Sequence, residues 1–136
     1  MAYQIYTDGA SRGNPGPSGI GAVIFDAKGK VVHEIAEYIG EVTNNVAEYQ
    51  ALIAALDYCV KHKLSPVEIL ADSQLLIKQL AGEYRVKHEN IIPLYRKVQG
   101  LLSHLEVAGY KHVYREDNKH ADKLANRGID EHQTKI

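Results

Sequence analysis

The order of apolar patterns along this chain predicts an α/β fold, a five-stranded mixed sheet with helices on both faces. Two observations carry the prediction. Three strand-like segments come first with no helix between them, and from residue 44 onward helices and strands alternate. A meander of the first kind pairs antiparallel, whereas strands joined through helices run parallel, so the sheet is mixed. Residues 3–8, 19–26 and 30–40 read as the meander strands. The first two are separated by a loop rich in glycine and proline, and the last two by Asp26-Ala27-Lys28-Gly29, a hairpin signal. Val31, Val32, Ile35 and Ile39 break strict alternation, which predicts a bulge in the third strand.

The clearest helix covers 44–62, where Val46, Tyr49, Leu52, Ile53, Leu56, Cys59 and Val60 recur at three- and four-residue spacing. Thr43 or Asn44 can cap it by accepting an orphan backbone N–H. Residues 67–72, after Pro66, form a short apolar strand, and Ser73 to Gly82 a short helix. A stripe of Ile91, Leu94, Val98, Leu101, Leu102 and Leu105 predicts a helix over 91–108, with Pro93 tolerated in its first turn. Residues 110–115 read as the last strand and 118–131 as the last helix, capped by Asp117 or Asn118. The element order is β-β-β-α-β-α-α-β-α.

The 136 residues suit one domain, placed at 1–131 with a short tail at 132–136. No apolar run approaches the roughly 20 residues that cross a bilayer, and the N-terminus has no signal-like segment. The single cysteine, Cys59, lies in an apolar helical pattern and reads as a buried thiol, which together fit a reducing cytoplasm and a monomer. The net charge of −1 hides an asymmetry. Residues 1–77 carry five basic and nine acidic side chains, and residues 78–127 carry ten basic and six acidic. An acidic half that holds cations beside a basic half that meets phosphates gives this pattern, as does an ordinary solvated helix face.

Four carboxylates stand out by context. Asp8 and Asp72 each end an apolar strand, and Glu48 and Asp122 each lie in the first turns of a helix. Carboxylates at helix starts complement the helix dipole, which explains Glu48 and Asp122 without a ligand; it does not explain Asp72, which follows Ile69-Leu70-Ala71 with no turn residue nearby. Gathered at one sheet edge, the four repel unless cations neutralise them, and all-oxygen ligands suit Mg²⁺ or Mn²⁺. Two such ions can stabilise both the attacking and leaving oxygens of a phosphodiester. Zinc is disfavoured: the chain has no cysteine pair and no His-x-x-x-His on one helix face.

These residues also match a family. Tyr6-Thr7-Asp8-Gly9-Ala10-Ser11-Arg12-Gly13-Asn14-Pro15-Gly16, Thr43-Asn44-Asn45-x-Ala47-Glu48-Tyr49, Asp72-Ser73-x-x-x-Ile77 and Arg115-x-x-Asn118-x-x-Ala121-Asp122-x-Leu124-Ala125-Asn126 resemble, in order and spacing, type 1 ribonuclease H. The resemblance spans nearly the whole chain and implies a ribonuclease H-like fold and endonucleolytic cleavage of the RNA strand of an RNA–DNA hybrid with two ions, Mg²⁺ or Mn²⁺. It implies that Asp8 contacts both ions, Asp122 completes the one that activates water, and Glu48 and Asp72 complete the one at the leaving group. Gly9, Asn14, Asn44 and Gln74 then read the minor groove and the 2′-OH groups that mark RNA. Thr43 and Asn90 hold a DNA-strand phosphate, and Asn45 either meets the DNA strand or shapes the helix start.

Two departures matter. Only Gly82 to Asn90 separates the middle helices, where many members insert a basic helix, and the chain has no tryptophan. The loop before Asp122 is also short, with His120 either replacing the family's loop histidine or serving as a capping or exposed surface residue. Both features are similar to a minimal branch found in archaea and some bacteria. Other readings are a non-catalytic hybrid- or duplex-binding module, a nucleotide-binding protein cradling phosphates with Gly9, Gly13 and Gly16, and a junction resolvase.

Overall fold

The computed structural model describes residues 1–135. Its strands are β1 (Tyr3–Ser11), β2 (Gly16–Phe25), β3 (Val31–Val42), β4 (Val67–Ala71) and β5 (Val107–His112). Its helices are α1 (Asn44–His62), α2 (Gln74–Leu80), α3 (Ile92–Leu102) and α4 (Lys119–Thr134). The five strands form one sheet in the order β3-β2-β1-β4-β5, with β1, β2 and β3 antiparallel and β1, β4 and β5 parallel. The predicted mixed sheet and element order are both present. β3 carries two bulges where one was predicted: Val32 and Ile39 are its extra residues, because Phe25 pairs with Val31 and Ile24 with His33, while Ser18 pairs with Gly40 and Gly19 with Tyr38.

The two sheet faces are packed differently. On one, Ile5, Ile20, Ile24 and Ile69 meet Leu52 and Leu56 of α1, Leu76 of α2 and Val98 of α3 in the main core. On the other, α4 lies almost on the backbone of β2. A Cβ on Gly21 would sit 2.1 Å from Ala121 O, and one on Gly19 2.2 Å from Ala125 O. These glycines and the small Ala121 and Ala125 let α4 descend to the sheet while Leu124 and Ile129 are buried beneath it.

Several boundaries differ from expectation. β1 runs on to Ser11, so Asp8 lies within the strand; its antiparallel partner is Gly21, whereas the parallel ladder to β4 stops at Thr7 and Ala71. The third helix ends at Leu102, not 108, and the last strand covers 107–112, not 110–115. Leu105 keeps its place against the core from a turn, and Val67 N–H donates to Glu106 O at 2.9 Å, so the apolar stripe crosses from helix to strand without a break. The last helix continues to Thr134, whose hydroxyl donates to Asp130 O at 2.7 Å; position 136, the end of the expected tail, lies outside the described residues. No described helix is long and apolar enough to cross a membrane.

Candidate active site

The site forms where β4 stops and β1 continues. Beyond Thr7, β1 has lost its parallel neighbour, so two backbone groups on that edge need other partners. Glu48 supplies one: its Oε1 accepts the Gly9 N–H at 3.1 Å. Asn118 supplies the other, its Nδ2 donating to Thr7 O at 2.9 Å. Asn118 therefore sits at the start of α4 but does not cap it; its side chain turns inward and is 1% exposed. Closing the strand edge binds the starts of α1 and α4 to β1 on either side of Asp8.

α1 approaches β1 as closely as α4 approaches β2. A Cβ on Gly9 would lie 2.4 Å from both Ala47 C and Glu48 N, so only glycine lets the helix start reach the strand. Thr43 caps α1, its Oγ1 accepting the Val46 N–H at 3.3 Å, and Ser73 caps α2 from the residue after Asp72. Asp8, Glu48 and Asp72 consequently converge, with one carboxylate oxygen of each within 4.8 Å of the others. Asp8 and Glu48 are buried at 6% and 3% exposure, and Asp72 is half-buried. Asp122, in the first turn of α4, is near enough to help raise Asp8 but lies outside the tight group of three.

The electrostatics fit a cation site. Burial, then the charges of Glu48 and Asp72, push Asp8 far above the usual carboxylate range. Burial also raises Glu48, opposed by the Gly9 N–H, by the Asp8 hydrogen bond and by the Arg115 guanidinium. Glu48 Oε2 is buried without a partner, as are Thr7 Oγ1 and Asn118 Oδ1. An unpartnered buried carboxylate oxygen among two other carboxylates is the donor set that a hard divalent ion needs. Arg115 stands out only here; in the sequence it was one residue of a motif, with no spacing that aimed it at Glu48.

Beside this corner runs a groove of about 370 Å³ lined by Asn14, Thr43, Asn44, Asn45, His88 and Asn90. Five of the seven expected substrate residues thus meet in one place, and His88 joins them from the irregular Gly82–Asn90 connection, its Nδ1 accepting the Asn90 N–H at 3.1 Å. Gly9 is buried beneath α1, and Gln74 opens α2 in an exposed position outside the groove. His120 is engaged by Glu34 of β3 and lies edge-on to Phe25, which favours the surface role over the catalytic one. Gly16 passes against the Arg12 carbonyl, where a Cβ would be 2.4 Å away, and Gly9 is covered by α1, so both glycines serve tight packing.

A mixed sheet that gathers carboxylates where its central strand outruns a parallel neighbour puts this chain among α/β folds with an all-oxygen donor set suited to hard divalent ions. A family model described as reverse transcriptase-like matches residues 6–128. The ribonuclease H of Methylococcus capsulatus is 37% identical over 142 residues, covering 93% of this chain and 88% of that protein. The chain belongs to the ribonuclease H family. It is also 44% identical over 131 residues to the bifunctional protein Rv2228c of Mycobacterium tuberculosis, covering 96% of this chain but 36% of that protein. LC11-RNase H1, solved in complex with an RNA/DNA hybrid, superposes with a TM-score of 0.91 at 43% identity, covering 96% of this chain and 99% of that one.

Proposed function

We propose that this chain is an endonuclease that hydrolyses the RNA strand of RNA–DNA hybrids, with Asp8, Glu48, Asp72 and Asp122 as its catalytic carboxylates. The observation that carries the reading is the convergence of Asp8, Glu48 and Asp72 within 4.8 Å, two of them buried. Two ions, Mg²⁺ or Mn²⁺, suit these oxygen ligands: Asp8, Glu48, Asp72 and Asp122 would hold them, Asp8 shared between the two, Asp122 completing one and Glu48 and Asp72 the other. Such a pair supplies an activated water and charge stabilisation for the leaving oxygen. The chain's own residues orient the substrate. Thr43 and Asn90 take a DNA-strand phosphate in the groove with Asn45 beside it, and Asn14, Asn44, Gln74 and the backbone at Gly9 read the minor groove, where 2′-OH groups distinguish RNA.

A monomer in the cytoplasm fits this role, and burial pushes the Cys59 thiol up to about 12, which keeps it inert. The test is cleavage of a labelled hybrid with either metal, beside single-stranded RNA, double-stranded RNA and duplex DNA. Metal-dependent cutting of the hybrid alone supports the reading; binding without cutting at low salt replaces it with the non-catalytic module.

A further inference from the structure

We propose that Arg12 is a positioning residue for the fourth carboxylate, acting through Asn126 to fix the side chain of Asp122. The inference rests on the catalytic reading of Asp122 given above. Arg12 leaves the end of β1 and lays its guanidinium on the side of α4. Its Nη2 lies 2.7 Å from Asp130 Oδ1 and 3.3 Å from Asn126 Oδ1, and its Nη1 donates to Gln133 Oε1 at 3.1 Å. Asn126 in turn donates its Nδ2 to the Asp122 backbone oxygen at 3.0 Å and to Asp122 Oδ1 at 3.4 Å.

The direction of this chain of bonds follows from what each group can do. A guanidinium has donors only, so Asn126 must present its oxygen to Arg12 and its amide hydrogens to Asp122. Without Arg12 the Asn126 oxygen loses its donor, and the amide is anchored only from the Asp122 side, so its grip on the Asp122 carboxylate loosens. An exposed ion pair such as Arg12 with Asp130 adds little stability, so orientation is the larger consequence of the fork. The same loop also binds the other catalytic helix: Asn14 Oδ1 accepts the Asn44 N–H at 3.0 Å at the start of α1. The Ser11 and Ser18 hydroxyls sit between loop carbonyls, Gly13 O and Gly16 O, and Val42 O of β3, 2.9 and 3.0 Å from the latter, which ties the loop to β3. The glycine-rich loop is therefore a strap across the two helices that carry Glu48 and Asp122.

The test compares Arg12→Ala, Arg12→Lys, Asn126→Ala, the Arg12→Ala/Asn126→Ala pair and Asp122→Asn. For each, Mn²⁺ binding to the protein alone is measured by calorimetry, with the melting temperature, and kcat and KM for hybrid cleavage across a metal titration. Groups that orient a metal ligand typically change metal affinity or activity by 10–100-fold, so Arg12→Ala should need roughly tenfold more Mn²⁺ for half-maximal cleavage, with kcat reduced and KM for hybrid unchanged. Arg12→Lys keeps a charge for Asp130 but not the fork, so it should retain the melting temperature without restoring the metal response. The double variant should be no worse than either single one, because both act on one path. The proposal is overturned if loss of activity follows the melting temperature and Arg12→Lys restores both, or if the two single effects add. Should Asp122→Asn keep full cleavage and metal response, the reading of Asp122 itself fails and the Arg12 proposal falls with it; an inactive Asp122→Asn beside a normal Arg12→Ala overturns only the latter.

Discussion

The acidic corner and the neighbouring groove share the start of α1 but are built on opposite principles. In the corner, ionisable groups are buried, one carboxylate oxygen has no partner, and Asp8 and Glu48 hold their protons abnormally tightly. In the groove, Asn14, Thr43, Asn44, Asn45 and Asn90 are neutral and half-buried or exposed, and several already bond to one another or to the helix start. One region is destabilised until cations arrive; the other is satisfied as it stands and offers spare donors. Under the proposed function the contrast would separate chemistry from recognition: charge concentrated under low solvent access would act on the reacting atoms, while amides on a preformed surface would choose what lies there.

The largest expected effect comes from breaking the corner. Asp72→Asn should lower hybrid cleavage by roughly three orders of magnitude, comparable with the loss of a principal charge-stabilising group, while circular dichroism shows an intact fold. Full activity in this variant would remove Asp72 from the site.

Gly21→Ala comes next. Its Cβ would meet Ala121 O at 2.1 Å and force α4 off the sheet, carrying Asp122 with it, so chemical denaturation should show a loss of about 1–3 kcal/mol together with a fall in kcat. Unchanged stability would mean that the close contact of α4 with β2 is not what holds Asp122.

Metal-free stability should fall as pH rises. Asp8 and Glu48 are raised above their ordinary 3.8 and 4.5, so between those values and the raised ones the folded state binds more protons than the unfolded state. Their burden is absent at low pH and grows steadily as pH rises through the window. Thermal melts in EDTA should show this slope, and excess Mg²⁺ or Asp8→Asn should flatten it; a flat metal-free profile would contradict the crowding.

The smallest effects belong to the groove. Asn90→Ala should raise KM for the hybrid roughly threefold to tenfold, the value of one hydrogen bond, with kcat retained. Thr43→Ala should do the same and also lose about 1 kcal/mol of stability with the α1 cap. A fall in kcat from either would erase the division between the two regions.

Much of the fold was legible because local patterns are strong where packing is one-sided. The α1 stripe fixed both its ends, and the broken alternation of β3 foretold one of its two bulges. Legibility failed where one apolar stripe served two elements, as at Leu105 and Val107, since burial alone does not distinguish a helix end from a strand start. Asn118 looked like a cap because its residue type suits one; only the end of β4 created the open carbonyl at Thr7 that captured it.

The sequence by itself determined the inventory: the order of elements, four carboxylates in four motifs, and a loop of small residues after the first strand. The tertiary structure decided which of those residues act on one another. β1 outruns β4, so Asp8 acquires an open flank; Gly9 and Gly21 admit two helices from opposite faces; and Arg12 reaches Asn126 across the chain's full length. These are contacts between residues far apart in sequence. Their geometry depends on strand lengths and close backbone approach, which no local period encodes.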